Sequence, residues 1–483
     1  MIQSIEESPL YRIVNPRSIA FFGASSKVSS MGRLLLKSTQ DSGYKGTIYP
    51  IHPSEETVLS CKAYKKVADL SEVPDLAIVV LPTAIVCQVL EECGEKGIRQ
   101  AVIVSGGFQE VGGKGIELEK QLAATAKKYD IKLLGPNCLG IANPSLGVNS
   151  TPLPIEGKPG FIGLASQSGS IVAQMYDYLD RFGLGFSTAI SIGNQLNTDL
   201  IDCMEYLAVC PKTKVITLYI ESINRGKRFM ETARAITRTK PIVALYVGGS
   251  ETGRKAAFSH TGSMSGPDCL YSSAFQQSGI VRAQNISELF DFAWALGNLP
   301  KPGGNRIAIL TDSGGPGAIA ADISGRIGLD LPGFSAETRE KLAPFIPGTG
   351  NANNPIDLTF LTDPSDLFLN IPQVLLEDSN IDMLMIYFLL PVPIMRMRMS
   401  SMGMSDDEID QHLEEVTRKN VEMVTTLSQT FGKPVVGFTF RSLRESMVRR
   451  IIESGVPVFP NPERAAKSLA ALVDYHRMRD KIQ

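Results

Sequence analysis

From residue 18 onward, short apolar runs alternate with amphipathic stretches, the runs falling at residues 19–22, 46–49, 76–81, 100–105 and 132–134. Each run is continuously apolar rather than alternating. That is the pattern of strands buried on both faces, so it predicts a parallel sheet covered by helices. The first series reads as a Rossmann-like domain that closes in the Pro- and Gly-rich passage 143–160, where turn residues crowd together. A second series runs through 161–165, 186–192, 215–220 and 241–247 to a helix-like stretch at 286–299. After a Lys-Pro-Gly-Gly-Asn linker at 301–305, a third runs through 306–310, 381–389, 434–440 and 455–459 to a long C-terminal helix.

The second and third series repeat one another. Gly163-Leu-Ala-Ser-Gln-Ser-Gly169 and Ile309-Leu-Thr-Asp-Ser-Gly-Gly315 are each a strand, a small-residue turn and a helix start. Ser278-Gly-Ile-Val-Arg-Ala-Gln-Asn-Ile-Ser-Glu288 parallels Ser454-Gly-Val-Pro-Val-Phe-Pro-Asn-Pro-Glu463, an apolar strand leading into an Asn-initiated helix. The expected architecture is therefore α/β: a Rossmann-like domain over 1–147, then two flavodoxin-like domains over 148–300 and 301–483. A length of 483 residues agrees with three such units.

Composition narrows the function classes. Hydrophobic residues at 43% and charged residues at 20% fit a folded globular chain, and a net charge of -2 without a basic run argues against nucleic acid as a partner. The first residues carry Glu6 and Glu7 and no basic segment followed by an apolar one, so a cytoplasmic location is expected. Apolar stretches are strand-sized, short of the roughly 20 residues that a membrane span needs. The seven cysteines form no C-x-x-C pair, so neither a disulfide framework nor a metal site is expected.

Phe22-Gly-Ala-Ser-Ser-Lys27, with Gly32 beyond it, sits between a strand and a helix. A small-residue turn there lets backbone N–H groups and the helix dipole meet a phosphate; a tight packing turn without a ligand is the plainer alternative. The three-glycine dinucleotide fingerprint is missing, and the second strand leads into Pro50-Ile-His-Pro53 with no acid at its end, which counts against an NAD-dependent dehydrogenase. Leu81-Pro-Thr83, Val104-Ser-Gly-Gly-Phe108 and Gly135-Pro-Asn-Cys138 also follow strands, and together these ends suggest one extended ligand. Ser166-Gln-Ser-Gly-Ser170 and Asp312-Ser-Gly-Gly-Pro-Gly317 are two further helix starts, each either an anion site or a plain turn.

Of four histidines, His412 and His476 lie in charged stretches and are expected to be solvated. His260 lies in Ala256-Ala-Phe-Ser-His-Thr-Gly-Ser-Met-Ser-Gly266, too rich in Gly and Ser for a core element, which favours function over packing. Glu221 ends the strand Leu218-Tyr-Ile-Glu221. Either it is a solvated strand-end acid, or it accepts from one imidazole nitrogen and leaves the other free to attack phosphorus.

In chain order, Gly23-Ala-Ser25, Gly135-Pro-Asn-Cys138, Ser166-Gln-Ser-Gly169, Ser191-Ile-Gly-Asn194, Ser259-His-Thr-Gly-Ser263, Ser313-Gly-Gly-Pro-Gly317 and Asn354-Pro-Ile-Asp357 resemble the alpha subunit of ADP-forming acetyl-CoA synthetases. These are the acyl-CoA synthetase (NDP-forming) branch of the succinyl-CoA synthetase superfamily, and the resemblance covers nearly the whole chain. It implies that CoA is a substrate. Gly23, Ser25, Ser26 and Lys27 would hold its phosphate end, Val104, Ser105 and Gly106 would lie nearer its pantetheine arm, and Asn137 would belong to the same site. His260 would be the phosphorylated histidine and Glu221 its supporting carboxylate, with Ser168, Gly169, Gly314, Gly315 and Gly317 gripping the phosphoryl group.

The implied reaction is acyl-CoA + ADP + phosphate ⇌ carboxylic acid + CoA + ATP, through an acyl phosphate and phospho-His260. No segment resembles an ATP-grasp domain, so the resemblance implies a separate beta subunit carrying ADP or ATP and Mg²⁺, in an α2β2 assembly. One departure is the Met- and Arg-rich segment 391–404, which reads as a solvated insertion or as a partner contact or lid. The competing reading is a noncatalytic CoA- or acyl-CoA-sensing protein on the same scaffold.

Overall fold

The computed structural model describes residues 2–482 apart from 155–157, 255–265, 360–362, 364 and 390–391. These residues pack as two units, one made of Met1–Asp180, Leu184–Leu289 and Ile482–Gln483, the other of Arg181–Gly183 and Phe290–Lys481.

The first unit holds two large sheets, beside a short two-stranded hairpin over 57–62. One is formed by β1 (Ser18–Phe22), β2 (Thr47–Ile51), β3 (Leu76–Val79), β4 (Gln100–Ile103) and β5 (Lys132–Leu134), parallel in the order β2-β1-β3-β4-β5. The other contains β6 (Ile141–Asn143), β7 (Val148–Asn149), β8 (Ile162–Ser166), β9 (Phe186–Ser191), β10 (Val215–Ile220), β11 (Ile242–Tyr246) and β12 (Val281–Ala283), in the order β12-β11-β10-β8-β9-β6-β7. Here β6 and β7 are antiparallel additions: β6 pairs with β9 through Ala142 and Ala189, so the hairpin on either side of residue 147 belongs to the second sheet.

The second unit contains β13 (Ile307–Thr311), β14 (Ile356–Asp357), β15 (Met383–Tyr387), β16 (Val435–Phe438) and β17 (Val458–Phe459), in the order β14-β13-β15-β16-β17. Setting the β6–β7 hairpin aside, all three large sheets share one doubly wound order. The α/β expectation and the duplicated flavodoxin-like unit are both present. The helices that matter below are α1 (Met31–Asp41), α2 (Gly169–Asp180), α3 (Leu200–Val209), α4 (Gly314–Arg326), α5 (Ile371–Glu377), α6 (Val392–Ser401) and α7 (Asp406–Phe431).

The run-like strands are buried along their full length in β1, β3, β8, β9, β11, β13 and β15, as covering on both faces demands. One core runs through the first unit, joining Phe21, Ile78, Val102 and Leu134 of the first sheet to Ile190, Ile192, Met204 and Tyr206 beside the second. Tyr206 also accepts from Asn15 Nδ2 at 2.9 Å, so its hydroxyl is not stranded in that core.

The duplication extends to a half-buried lysine. Lys240, before β11, donates from Nζ to the carbonyls of Leu207 and Cys210 at the end of α3 (2.9 and 3.0 Å). Lys433, before β16, does the same for Leu376 and Asp378 at the end of α5 (2.7 and 2.9 Å). Each lysine precedes a proline and satisfies carbonyls that a helix C-terminus leaves without intrahelical partners.

Two expectations about the surface have different outcomes. His412 is exposed, as expected. His476 is not solvated: it is half-buried beside Tyr475, and burial, with the charges of Arg479 and Lys301, pushes its imidazole down to about 4. The Met-rich segment forms α6 and turns into α7, with Arg396 ion-paired to Asp406 and Asp410, while Met397 and Met402 stay exposed. Among the described residues no helix is long and apolar enough to cross a membrane.

Lys240→Ala removes the Nζ donor from two helix-end carbonyls, of which Cys210 O keeps only the Thr213 N–H, and should lower unfolding free energy by about 1–3 kcal/mol. The exposed Lys227→Ala should change it by less than about 0.5 kcal/mol. Denaturant unfolding of the two variants checks this, and equal effects would contradict the capping role.

Candidate active site

The turn after β1 is shaped by contact. Gly23 has φ +90°, and a Cβ there would lie 2.0 Å from the Val80 carbonyl oxygen; a Cβ on Gly32 would lie 2.1 Å from the Gly23 carbonyl oxygen. Only glycines let α1 start this close to β1 and β3. Ser30 caps α1 by accepting from Arg33 N, and Ser25 Oγ lies 3.2 Å from Ser30 Oγ. Ser26 and Lys27 are exposed on the loop.

No acid stands at the end of β2, as expected, but one further along reaches the turn. Glu55 accepts from the Ser26 backbone N–H (3.0 and 3.1 Å) and from its hydroxyl (2.5 Å). These bonds hold the carboxyl below its ordinary range, the hydroxyl first and the N–H second. His52 makes this possible, because its Nδ1 accepts from Ser54 N and Glu55 N and turns the chain back toward the loop. The acid therefore lies four residues past the strand, and it meets the phosphate-type turn itself.

At the end of β4, Ser105 Oγ accepts from Leu81 N (3.0 Å) and its carbonyl accepts from Asn137 N (2.9 Å). Gly106 lies against Asn137, whose Oδ1 would be 3.2 Å from a Cβ at that glycine. Asn137 itself has φ +59°, a conformation that asparagine tolerates better than most residues. It follows the cis Gly135–Pro136 bond. Cys138 next to it is buried, and burial pushes its thiol up to about 12, so it is a packing residue rather than a nucleophile.

A cleft of about 200 Å³ opens where the carboxyl ends of the first unit's two sheets meet. Val104, Asn137 and Leu139 line it from one side, Ser168, Gly169, Ser170 and Glu221 from the other, and Gly193, Asn194 and Gln195 from the loop after β9. The start of α2 faces it. Ser166 Oγ accepts from Ser168 N (3.1 Å) and donates to Ser168 O (2.7 Å), bending the chain so that the helix begins at Gly169. A Cβ on Gly169 would stand 2.8 Å from Leu139 Cγ, so glycine is required for α2 to reach this loop.

Glu221 is buried one residue past β10. Gln167, to which sequence reasoning gave no role, fixes it: its Oε1 accepts from Glu221 N (2.5 Å) and Ser222 N (3.0 Å), and its Nε2 donates to Ser222 O (2.7 Å). The structure thus brings Val104, Asn137, Ser168, Gly169 and Glu221 to one cleft, while Ser25, Ser26 and Lys27 lie on the separate turn after β1. His260 lies outside the described residues.

Gly314, Gly315 and Gly317 start α4 in the second unit. Thr311 Oγ1 donates to Ser313 O (3.0 Å) as Ser166 Oγ does to Ser168 O, so the turn is duplicated in detail. Its chemistry differs at the next residue. Where α2 has Gln167, α4 has Asp312, whose carboxyl is raised mainly by burial, with the nearby Asp357 adding to it.

Residues 17–144 match the family model described as CoA binding domain, and residues 159–296 match succinyl-CoA ligase like flavodoxin domain. The acetate–CoA ligase (ADP-forming) II subunit alpha of Pyrococcus furiosus is 38% identical over 95% of this chain and 96% of its own length. The chain belongs to the ADP-forming acetate–CoA ligase family. Within this ligase family, the acetate–CoA ligase (ADP-forming) I of Archaeoglobus fulgidus is 36% identical over 97% of this chain but only 64% of its own length. Among solved structures, the dinucleotide-forming acetyl-coenzyme A synthetase 1 of Ca. Korarchaeum cryptofilum, in complex with phosphate and ADP, is 30% identical, with a TM-score of 0.86 and 98% of each chain covered.

For a ligase-family CoA-binding domain, the Glu55–Ser26 contact predicts competition: an anionic ligand that uses this turn would displace a carboxylate from it. Glu55→Gln should bind CoA several-fold more tightly than the unaltered chain by titration calorimetry. Equal or weaker binding would show that Glu55 is not in the ligand's way.

Proposed function

We propose that this chain is the CoA-binding, phosphoryl-carrying alpha subunit of an ADP-forming acyl-CoA ligase, working in the cytoplasm with a separate ATP-grasp subunit. The observation that carries the reading is the start of α2 opening on the same cleft as Val104 and Asn137. A CoA arm passing the ends of β4 and β5 and a phosphate held at Gly169 and Ser170 would meet there.

In the ATP-forming direction, a phosphate oxygen attacks the thioester carbonyl, the C–S bond breaks, and the thiolate leaves as CoA and takes up a proton. The acyl phosphate remains at the start of α2. His260 then attacks phosphorus, the bond to the acyl oxygen breaks, and the carboxylate departs. Glu221 accepts the other imidazole N–H and so favours the reactive tautomer and the positive charge that develops. The partner subunit, holding ADP and Mg²⁺, receives the phosphoryl group as the P–N bond breaks. Splitting the transfer lets two distant sites share one activated phosphoryl group.

The duplicated helix start at Gly314, Gly315 and Gly317 is a second anion-type turn, and its glycines leave N–H groups open to a phosphoryl group. The names of the relatives support a partner: the Pyrococcus furiosus proteins that match end to end are each named subunit alpha. An α2β2 assembly fits this division. A noncatalytic CoA sensor would have no use for a carboxylate buried beside an anion-type helix start.

Incubation of the complex with γ-labelled ATP and Mg²⁺ tests the reading. Acid-labile, base-stable label should appear on this chain, be absent from His260→Ala, and form at least about tenfold more slowly in Glu221→Gln, the loss expected for one charge-assisted hydrogen bond. An unlabelled wild-type chain beside an active partner subunit would refute it.

A further inference from the structure

Asn194 sits between two carboxylates. Its Nδ2 donates to Glu110 Oε2 at 2.7 Å and to Glu119 Oε2 at 2.9 Å, and its Oδ1 accepts from Asn137 Nδ2 at 3.3 Å. With both N–H bonds committed to acids, the amide has one possible orientation. Asn137 is thereby tied through one of its own amide hydrogens, which leaves the other for the cleft it lines.

The two acids are bound differently. Glu110 uses both oxygens: Oε1 accepts from Gly107 N (2.5 Å) and Phe108 N (3.1 Å), in the loop after β4, while Oε2 serves Asn194. Glu119 uses one oxygen for everything, since its Oε2 accepts from both Gln109 N (3.1 Å) and Asn194. Two oxygens sharing one amide nitrogen cannot lie farther apart than the sum of their distances to it, so two charges there would repel. The environments separate them accordingly. Burial pushes Glu110 up, but the bonds from Asn194 and the backbone outweigh it and the carboxyl ends below its ordinary range. Burial pushes Glu119 up, and the Glu110 charge adds to it.

We propose that Glu110 and Glu119 are positioning residues that hold Asn194, and through it Asn137, at the point in the cleft where the CoA arm reaches the phosphoryl site. The inference rests on the CoA-ligase reading above and assigns a role that neither acid has in the chemistry itself. It also joins the two halves of the cleft, because Glu110 and Glu119 belong to the first sheet's loops and helices and Asn194 to the loop after β9.

The one-oxygen and two-oxygen arrangements make an asymmetric test. Glu119→Leu strands the Gln109 N–H and one Asn194 N–H and should weaken CoA binding about tenfold, the worth of a hydrogen bond to a charged group. Glu119→Gln keeps a carbonyl oxygen for both donors and should restore affinity to within about twofold, an interval of under about 0.5 kcal/mol. Glu110→Gln cannot do so: an amide offers one acceptor where two are used and turns a donor toward either the backbone or Asn194, so it should lose about tenfold despite its matching shape.

Titration calorimetry of the full chain with CoA reads each affinity, and the rate of ATP-driven labelling in the complex, which needs no CoA, should be unchanged in all three variants. If Glu110→Gln does not fold, Asn194→Ala carries the same expectation, since each acid keeps its backbone donors. CoA affinity unchanged in Glu110→Gln and Asn194→Ala, or lost equally in Glu119→Gln and Glu119→Leu, would overturn the relay. Failure of the unaltered chain to bind CoA at all would instead overturn the ligase reading.

Discussion

The cleft exists because two loops meet with no room for side chains between them. Gly135 N donates to Ile192 O, Asn194 N to Pro136 O and Leu196 N to Gly135 O, all within 3.1 Å. A Cβ on Gly193 would lie 2.3 Å from the Pro136 carbonyl oxygen. This seam fixes the carboxyl ends of β4 and β5 against those of β8 to β10, and each ligand-facing group inherits its place from it. Asn137 and Leu139 stand on one side of the seam, Asn194 and Gln195 on the other, and Gly169 packs on Leu139 from the start of α2. In open α/β sheets the strand ends form a ligand crevice, and here two such ends face one another and enclose a single one.

Polar residues around the seam are mostly spent on holding it. Ser166 and Gln167 each have their side-chain hydrogen bonds committed to backbone groups, and Ser105 Oγ accepts from Leu81 N. Such residues shape the walls of the cleft. The same holds for the second unit, where Thr311 bends the chain into α4 as Ser166 bends it into α2. A turn conserved in geometry across the duplication, with Gln167 in one copy and Asp312 in the other, shows one scaffold carrying two electrostatic environments.

Much of the fold was legible because doubly covered parallel strands announce themselves as continuous apolar runs, and because glycines at Gly23, Gly32 and Gly169 mark places where backbone must approach backbone. The two-residue strand β14 was not legible, being too short to form a run, and neither was the β6–β7 hairpin, which resembles a linker in composition. The candidate site was legible as a set of strand ends and helix starts, but its long-range polar pairs were not. Glu55 reaches Ser26 across 29 residues through a turn made by His52, and Glu119 reaches Asn194 across 75. Nothing local in the sequence distinguishes these acids from solvated ones. His476 was misread for the same reason: charged neighbours along a helix suggest solvent, while packing half-buries one face.

The central claim is that the thiol end of CoA and the transferable phosphate meet in this one cleft. Determining the structure of the chain soaked with CoA and inorganic phosphate tests it most directly. The phosphate oxygens should lie at the N–H groups of Gly169 and Ser170, and the CoA sulfur inside the same cleft beside Asn137. A CoA arm that leaves the ends of β4 and β5 in another direction, or a phosphate bound elsewhere with the start of α2 empty, would contradict it.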